Sequence, residues 1–155
     1  MEQTITAQLT AFNQTYKEMD EIYHVYAKAN GLSDATLWVL YSLWERGEGY
    51  PQRELCADWF YPPQTVNSIL KGLERRGLIE LVLIPGNRKS KQVCLTSSGR
   101  ALAKQVIVPL VEAERSSFSG LSAEERAALL SITEKHIALL KRATKKLSSE
   151  DCSPQ

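Results

Sequence analysis

Two stretches near the middle of the chain combine side chains that can hydrogen-bond to nucleic-acid bases and phosphates. The first is the polar side of a predicted helix from Pro63 to Arg76. This side holds amides, hydroxyls and cations and no acidic residue, namely Gln64, Thr65, Asn67, Ser68, Lys71 and Arg75. Gln and Asn can bond adenine through two atoms, and Lys can reach guanine acceptors. Cations further along the helix can hold phosphates and set its register on the duplex.

The second stretch is a basic segment between two predicted strands. It consists of Asn87, Arg88, Lys89, Ser90 and Lys91, of which three are cations. A projecting cationic turn can enter a minor groove, because the negative potential of a narrow groove attracts Arg and Lys. A charged hairpin tip can also serve only to keep a sheet edge from aggregating. The segment therefore supports DNA binding only in combination with the neighbouring helix.

The distribution of charge agrees with a basic central surface. Residues 1–61 contain four Lys/Arg and nine Asp/Glu, a net charge of −5. Residues 62–105 contain eight Lys/Arg and two Asp/Glu, a net charge of +6. Residues 106–155 contain seven Lys/Arg and seven Asp/Glu, so their net charge is zero. A basic segment set in an otherwise acidic or neutral chain is typical of one surface that meets phosphates.

Hydrophobic periodicity predicts the elements that position these stretches. Apolar residues at helical spacing indicate a mainly α-helical chain, with strands only at 78–84 and 92–95. The predicted helices are 4–29, 33–46, a short one from Pro51 to Trp59, 63–76, one beginning at Thr96 and one beginning at Ser122. The order of short helix, break, helix, strand, basic loop and strand is that of a winged helix-turn-helix with a two-stranded β-wing.

Apolar stripes on the first and last helices indicate surfaces that need a partner. The stripe of the first helix has a heptad-like spacing and runs through Ile5, Leu9, Phe12, Tyr16, Met19, Tyr23 and Tyr26. The last helix carries Leu130, Ile137, Leu140 and Leu147 on one side. Spacings of three and four sustained over three heptads are typical of helix–helix association.

Residues 37–103 resemble the MarR family of transcription regulators. The matching motifs are Gln52-x-Glu54-Leu55-Cys56-Ala57, then Gln64-Thr65-Val66-Asn67-Ser68-Ile69-Leu70-x-x-Leu73-Glu74-Arg75-Arg76-Gly77-Leu78-Ile79, and Asn87-Arg88-Lys89-Ser90-Lys91-x-Val93-x-Leu95-Thr96-x-x-Gly99. The resemblance implies a homodimer that binds double-stranded DNA, with a DNA-binding domain at 33–96. Residues 1–32 and 97–148 would form the helical dimerisation domain, and 149–155 a flexible tail. Two recognition helices would read a palindromic operator with half-sites about 34 Å apart, and repression is the expected outcome.

The sequence departs from the family pattern in the wing and at the start of the recognition helix. The family usually has Asp, one residue and Arg where this chain has Asn87 and Lys89. Because Asn87 cannot form the ion pair that positions that arginine, Arg88 is expected to enter the groove instead. The recognition helix opens with Pro62 and Pro63, so its first amides are expected to lack a side-chain cap.

The resemblance also implies a small effector, since family members often release DNA when a phenolic or lipophilic molecule binds. Aromatic residues that would line such a cleft are Tyr23, Tyr26, Trp38, Tyr41 and Trp44. Aromatic residues at helical spacing are also typical of an ordinary core. Both interpretations of these five side chains stay open at this point.

Several other classes of function are disfavoured. No phosphate-binding loop, Ser-His-Asp arrangement or cluster of metal ligands is present in the sequence, so no enzyme activity, cofactor or metal is predicted. The cysteines, Cys56, Cys94 and Cys152, form no C-x-x-C pair and are predicted to be reduced, although a redox-sensing role for one of them stays open. Since no apolar run approaches the ~20 residues of a membrane span, a cytoplasmic location is expected. A winged-helix protein-interaction module without DNA binding is the alternative function.

Overall fold

The computed structural model describes residues 4–47, 49–59 and 61–150, and at residues 88, 89 and 148–150 it describes the backbone alone. These ranges are mainly helical, as predicted. The elements are α1 (Ile5–Ala29), α2 (Asp34–Arg46), β1 (Tyr50–Pro51), α3 (Gln52–Asp58), α4 (Pro63–Arg75), β2 (Ile79–Ile84), β3 (Asn87–Leu95), α5 (Ser97–Ser119) and α6 (Ala123–Glu150). The chain divides into two compact units, one up to Leu110 and one from Val111 onward.

The first two helices begin and end at local signals. Thr4 caps α1 with its side chain, and Ser33 caps α2 in the same way. Between them, Gly31 adopts a φ of +68°. The N–H of Leu32 donates to the carbonyl of Ala27 at 2.9 Å, which is the long bond of a Schellman ending. The predicted end of the first helix at residue 29 and the predicted start of the second at Ser33 are both confirmed.

A short strand that was not predicted precedes α3. Tyr50 and Pro51 pair antiparallel with Val93 and Gln92 of β3. The sheet is therefore three-stranded, in the order β1–β3–β2, rather than a two-stranded hairpin alone. Two residues are too few to show the alternation that reveals a strand in a sequence. Because Pro51 lies in β1, it precedes α3 instead of forming its first turn, and Trp59 follows the last turn of that helix.

The returning strand of the wing hairpin begins earlier than predicted. Its turn is Pro85–Gly86, with Gly86 at a φ of +80°, and β3 begins at Asn87 rather than at Gln92. A proline followed by a glycine with positive φ is typical of a type II turn. The predicted basic loop is therefore wrong, because residues 88–91 belong to β3. The first half of β3 is polar and does not alternate between apolar and polar residues, so its sequence does not indicate a strand. It forms a strand because it pairs with β2.

Thr96 joins the sheet to α5. Its side-chain oxygen accepts a hydrogen bond from the Gly99 N–H at 3.0 Å and donates one to the Gly77 carbonyl at 2.6 Å. The backbone at Gly99 passes so close to β2 that a Cβ there would lie 1.8 Å from the carbonyl oxygen of Leu78. The end of the wing is thereby fixed to the end of α4.

The predicted start of the last helix at Ser122 is confirmed, and a capping box forms it. The Ser122 N–H donates to Glu125 Oε2 at 2.8 Å, and the Glu125 N–H donates to Ser122 Oγ at 3.2 Å. The helix continues to Glu150, two residues beyond the predicted end of the domain at 148. The remaining residues of the predicted tail, 151–155, lie outside the described residues.

The core of the first unit lies between α2, α4, α5 and the sheet. Its largest fully buried side chains are Leu37, Leu40, Leu55, Leu70, Ile107, Val39, Val66, Val93 and Val106. Burying one such side chain stabilises a fold by about 1.5–3 kcal/mol. This burial holds one face of α4 against the core and leaves the opposite face in solvent. Among the described helices, none has the length and apolar character needed to cross a bilayer.

Candidate nucleic-acid interface

The polar face of α4 is fully presented to solvent. The side chains predicted to contact DNA on this helix are all exposed: Gln64, Thr65, Asn67, Ser68, Lys71 and Arg75. The inward residues Val66, Leu70 and Leu73 are at most 2% exposed, so the helix is anchored along its apolar side. Arg75 Nε donates to the Lys71 carbonyl at 3.3 Å, which directs the start of the guanidinium back along the helix. The face has the shape and chemistry of a helix that fits a groove.

The first turn of α4 has no side-chain cap, as predicted. Pro62 and Pro63 have no backbone N–H, and the Thr65 N–H donates to the Pro62 carbonyl at 3.0 Å. The two prolines thus start the helix without a capping side chain that would cover its N-terminal end. The positive end of the helix dipole at Gln64 favours a nearby anion such as a phosphate.

Two of the three basic residues of the wing, Arg88 and Lys89, lie on a bulge. Leu83 pairs with Lys91 and Ile84 pairs with Asn87, so residues 88–90 of β3 have no opposite residue on β2. Asn87 Nδ2 donates to Ser90 Oγ at 3.0 Å across the base of this bulge. Bulges bend a strand and redirect its side chains. Lys91 is exposed, and the bulge contains the backbone of Arg88 and Lys89, whose side chains lie outside the described residues.

One cavity connects α3, the start of α4 and the wing. Its volume is about 620 Å³. The lining residues are Pro51, Gln52, Arg53, Glu54, Cys56, Pro63, Asn67, Ile84, Ser90 and Lys91. Asn67 of α4 and Lys91 of the wing therefore border the same open space. Gln52, which the sequence analysis did not single out as a site residue, donates from Nε2 to Asn67 Oδ1.

Cys56 is half-buried in the wall of this cavity. Burial raises the pKa of its thiol. A raised pKa lowers the fraction of reactive thiolate at neutral pH, so this environment disfavours redox chemistry at Cys56. Cys94 is also half-buried, and Cys152 lies outside the described residues.

Three of the five predicted effector residues form one aromatic cluster around Trp38. Its ring centroid lies 4.8 Å from that of Tyr23 and 5.7 Å from that of Tyr41. Trp59 stacks on the same ring at 5.0 Å and an interplanar angle of 28°. Sequence reasoning missed Trp59 as a member, although its position four residues after the buried Leu55 was a signal that it faces inward. The cluster joins α1, α2 and the end of α3.

The other two predicted effector residues belong to none of these ring pairs. Tyr26 is half-buried, and its hydroxyl donates to the Val106 carbonyl of α5 at 2.6 Å. Burial raises the pKa of Tyr26, which keeps the hydroxyl protonated as a donor. Trp44 is half-buried on α2. Tyr26 therefore has a structural role that the sequence analysis did not predict.

Three polar residues, His24, Asp34 and Tyr61, lie within four residues of cluster members along the chain. His24 follows Tyr23 on α1. Its Nδ1 lies 3.0 Å from Oδ1 of Asp34, the first residue of α2. Asp34 precedes Trp38 by four residues on α2, so the two side chains share a helix face. Burial, followed by the negative charge of Asp34, raises the pKa of the Tyr61 hydroxyl. Each of these polar residues is thus a near neighbour in sequence of a cluster member, and Asp34 brings a negative charge.

The elements and their order define a winged helix-turn-helix: α3 and α4 with a tight break between them, followed by a β-hairpin. Residues 30–90 match the sequence model of the MarR family. The chain is 31% identical over 126 residues to the HTH-type transcriptional regulator PecS of Dickeya dadantii (strain 3937), covering 78% of this chain and 74% of PecS. The chain belongs to the MarR family, whose members are transcription regulators rather than enzymes.

Solved structures agree with this fold. S. aureus MepR, in a structure described as a DNA complex, superposes with a TM-score of 0.68 at 24% identity, covering 90% of this chain and 99% of MepR. Bordetella bronchiseptica BpsR superposes with a TM-score of 0.65 at 23% identity, covering 86% of this chain and 93% of BpsR. The latter structure is described as a mechanism for regulation of DNA binding by 6-hydroxynicotinic acid.

Proposed function

We propose that this protein binds a palindromic operator as a homodimer, reads it with α4 and the β2–β3 wing, and represses transcription there. One observation carries the proposal: Asn67 on the exposed face of α4 and Lys91 of the wing line the same cavity. A duplex that lies along α4 meets the wing from the same side. The residues proposed to contact DNA are Gln64, Thr65, Asn67, Ser68, Lys71, Arg75, Asn87, Arg88, Lys89 and Lys91.

The apolar side chains outside the DNA-binding part support the homodimer. On α1, large hydrophobic residues are 42–83% exposed, among them Ile5, Leu9, Phe12, Tyr16 and Met19. On α6, large hydrophobic residues are 43–67% exposed, among them Leu129, Leu130, Ile132, Ile137 and Leu140. Apolar faces of this extent on a monomer indicate an interaction surface. A second copy of the chain would cover them and would place two α4 helices about one DNA turn apart.

The salt dependence of binding to a duplex tests the DNA contacts. Each phosphate contact that releases a counterion adds about 0.9 to the slope of log affinity against log salt concentration. Lys71→Ala and Lys91→Ala should each reduce that slope by about 1 and weaken binding to all sequences alike. Lys135→Ala removes an exposed cation from α6 and is the matched control, for which the slope should not change.

The alternative, a protein-interaction module, predicts a different result. Such a module would bind no duplex at low salt, so no duplex would shift in an electrophoretic gel. The three lysine variants would then show the same lack of binding as the wild-type protein. Analytical ultracentrifugation of the wild-type protein tests the homodimer separately. Repression is tested by placing a selected operator before a reporter gene, whose expression should fall when the protein is present.

We also propose that a small aromatic ligand regulates DNA binding from the cluster around Trp38. The regulation of BpsR by 6-hydroxynicotinic acid supports this second proposal, since that ligand is a small aromatic acid. The ring faces would come from the cluster residues Tyr23, Trp38, Tyr41 and Trp59. His24 and Tyr61, close to them in sequence, would supply hydrogen-bonding groups.

Calorimetric titration with 6-hydroxynicotinic acid as the probe tests the effector site. The wild-type protein should give a saturable heat, and Trp38→Phe should weaken binding at least several-fold because a smaller ring leaves part of the cluster unfilled. Tyr16→Phe, at a residue 52% exposed on α1, is the control. Equal affinity in all three proteins would place any binding elsewhere.

A further inference from the structure

The hydrogen bond between Gln52 and Asn67 connects the two helices of the helix-turn-helix at the candidate interface. Gln52 is the first residue of α3, and Asn67 is exposed on the second turn of α4. Gln52 Nε2 donates to Asn67 Oδ1. Both side chains line the cavity that is shared with the wing. The bond therefore lies at the surface where a duplex is proposed to bind.

Gln52 is held in place by the elements around it. Pro51, immediately before it, pairs with Gln92 of β3, which fixes the start of α3 to the wing. The ring of Pro51 also restricts its own φ, so the chain enters α3 in one direction. Gly49, at a φ of +62°, lies against the Gln92 side chain, where a Cβ would come within 2.5 Å of Oε1. Gln52 is thus a half-buried residue on a fixed backbone.

The bond restricts what Asn67 can offer to a base. A lone asparagine can rotate its amide and present either its oxygen or its nitrogen, and it bonds adenine with both. Here the Gln52 amide donates to one lone pair of the Asn67 oxygen, which favours the rotation of the Asn67 amide that keeps this oxygen toward Gln52. The two hydrogens on Asn67 Nδ2 are not used in this bond. Base edges that accept hydrogen bonds, such as guanine O6 and N7, match these donors.

We propose that Gln52 is a positioning residue for DNA recognition, which orients the Asn67 amide so that it selects an acceptor-bearing base edge. The proposal rests on the proposed DNA-binding function and adds a residue from outside the recognition helix to the determinants of sequence preference. Gln52 acts through Asn67, so its effect on preference requires the Asn67 side chain. A direct contact of Gln52 with DNA would act whether or not Asn67 is present.

Selection of bound sites from a random duplex library tests the proposal with the full-length protein. The proteins compared are wild type, Gln52→Ala, Gln52→Met, Asn67→Ala and the double variant Gln52→Ala/Asn67→Ala. Gln52→Met keeps the length of the side chain while removing its amide. Both Gln52 variants should lose about three- to tenfold discrimination at the base pair that Asn67→Ala also affects. The double variant should discriminate no worse than Asn67→Ala alone.

Arg53→Ala is the matched control, because Arg53 is the next residue of α3 and lines the same cavity. Because this variant removes a cation and leaves the Gln52–Asn67 bond intact, it should change the affinity for all sequences by the same factor and leave the preference unchanged. Unchanged preference in the Gln52 variants, or losses that add in the double variant, would overturn the positioning role while leaving DNA binding established. A wild-type protein that selects no sequence at all would overturn the proposed function and this inference together.

Discussion

The hydroxyl of Tyr26 on α1 donates a hydrogen bond of 2.6 Å to the backbone carbonyl of Val106 on α5. The two residues are 80 positions apart, and Val106 is 1% exposed. The bond fixes the end of α1 to α5 three residues before Pro109, the proline within that helix. It joins the helix that precedes the DNA-binding elements to the helix that follows them.

Tyr26→Phe should lower the free energy of unfolding by about 1 kcal/mol, because it removes one partly buried hydrogen bond and keeps the ring. The measurement is urea denaturation followed by circular dichroism. Tyr16→Phe removes an exposed hydroxyl from the same helix and should leave stability within about 0.5 kcal/mol of wild type. A similar loss in both variants would show that the Val106 bond contributes little.

Gly99→Ala should destabilise the protein by about 3 kcal/mol or more, at the upper end of what overpacking costs. An added Cβ would lie 1.8 Å from the carbonyl oxygen of Leu78. Because this oxygen belongs to the backbone, it can move away only if the surrounding chain moves with it. Thermal unfolding measures the effect.

Gly72→Ala is the matched substitution for this experiment. Gly72 lies inside α4, where an added Cβ would meet nothing within 4 Å. Alanine lowers the conformational entropy of the unfolded chain, so this variant should gain about 0.5–1 kcal/mol. Equal losses at the two glycines would contradict the steric explanation for Gly99.

The stability of the protein should fall at alkaline pH through Tyr50. Burial, followed by the hydrogen bond to Asp58, raises the pKa of Tyr50 from 10.0 to about 12. Below pH 10, the pKa of Tyr50 in the unfolded chain, the hydroxyl is protonated in both the folded and the unfolded state. Between pH 10 and about pH 12, only the unfolded state loses this proton. The free energy of unfolding therefore decreases as pH rises through this window, by up to about 1.4 kcal/mol per pH unit.

Tyr50→Phe isolates this contribution, since it has no proton to lose. It should be less stable than wild type near neutral pH, because the bond to Asp58 is gone, and its stability should change less between about pH 10 and pH 12. Urea denaturation at several pH values gives both quantities. Parallel profiles for the two proteins would assign the alkaline loss to other groups.

If α4 reads DNA as proposed, Gln64→Ala should relax the sequence preference, because Gln64 is exposed at the start of the helix and a Gln side chain can bond a base edge. The loss in discrimination at one base pair should be about fivefold or more, measured by selection from random duplexes. Arg88→Ala should instead weaken binding to every sequence, as a wing cation does. If Gln64→Ala lost affinity equally on all duplexes, its role would be in phosphate contact rather than base reading.

The helices of this protein could be predicted from the sequence because their signals are local. A capping side chain such as Ser33 and a terminal glycine such as Gly31 act within one turn, and apolar spacing shows the buried face of α4. The family motifs predicted the winged helix-turn-helix, and the family comparison confirms it. The roles of the individual α4 and wing residues stay predictions, although the structure places the α4 side chains on the exposed face as expected.

The parts that could not be predicted depend on residues distant in sequence. Strand β1 exists because Tyr50 meets Val93, a pairing that no local pattern reveals. The position of Tyr26 in the sequence is equally consistent with a tyrosine that faces a ligand and with one that bonds the Val106 carbonyl. Only the tertiary structure distinguishes these two roles. The bond from Gln52 to Asn67 likewise depends on how α3 and α4 are packed.

The bulge at residues 88–90 divides the wing into a part whose length is variable and a part whose register is fixed. A slip of one residue in a paired strand exchanges its inner and outer faces, so the pairing of Leu81 with the buried Val93 must be kept. Residues 88–90 have no opposite residue, and one gained or lost there would leave that pairing intact. The wing tip can therefore be lengthened or shortened during evolution without rebuilding the sheet beneath it.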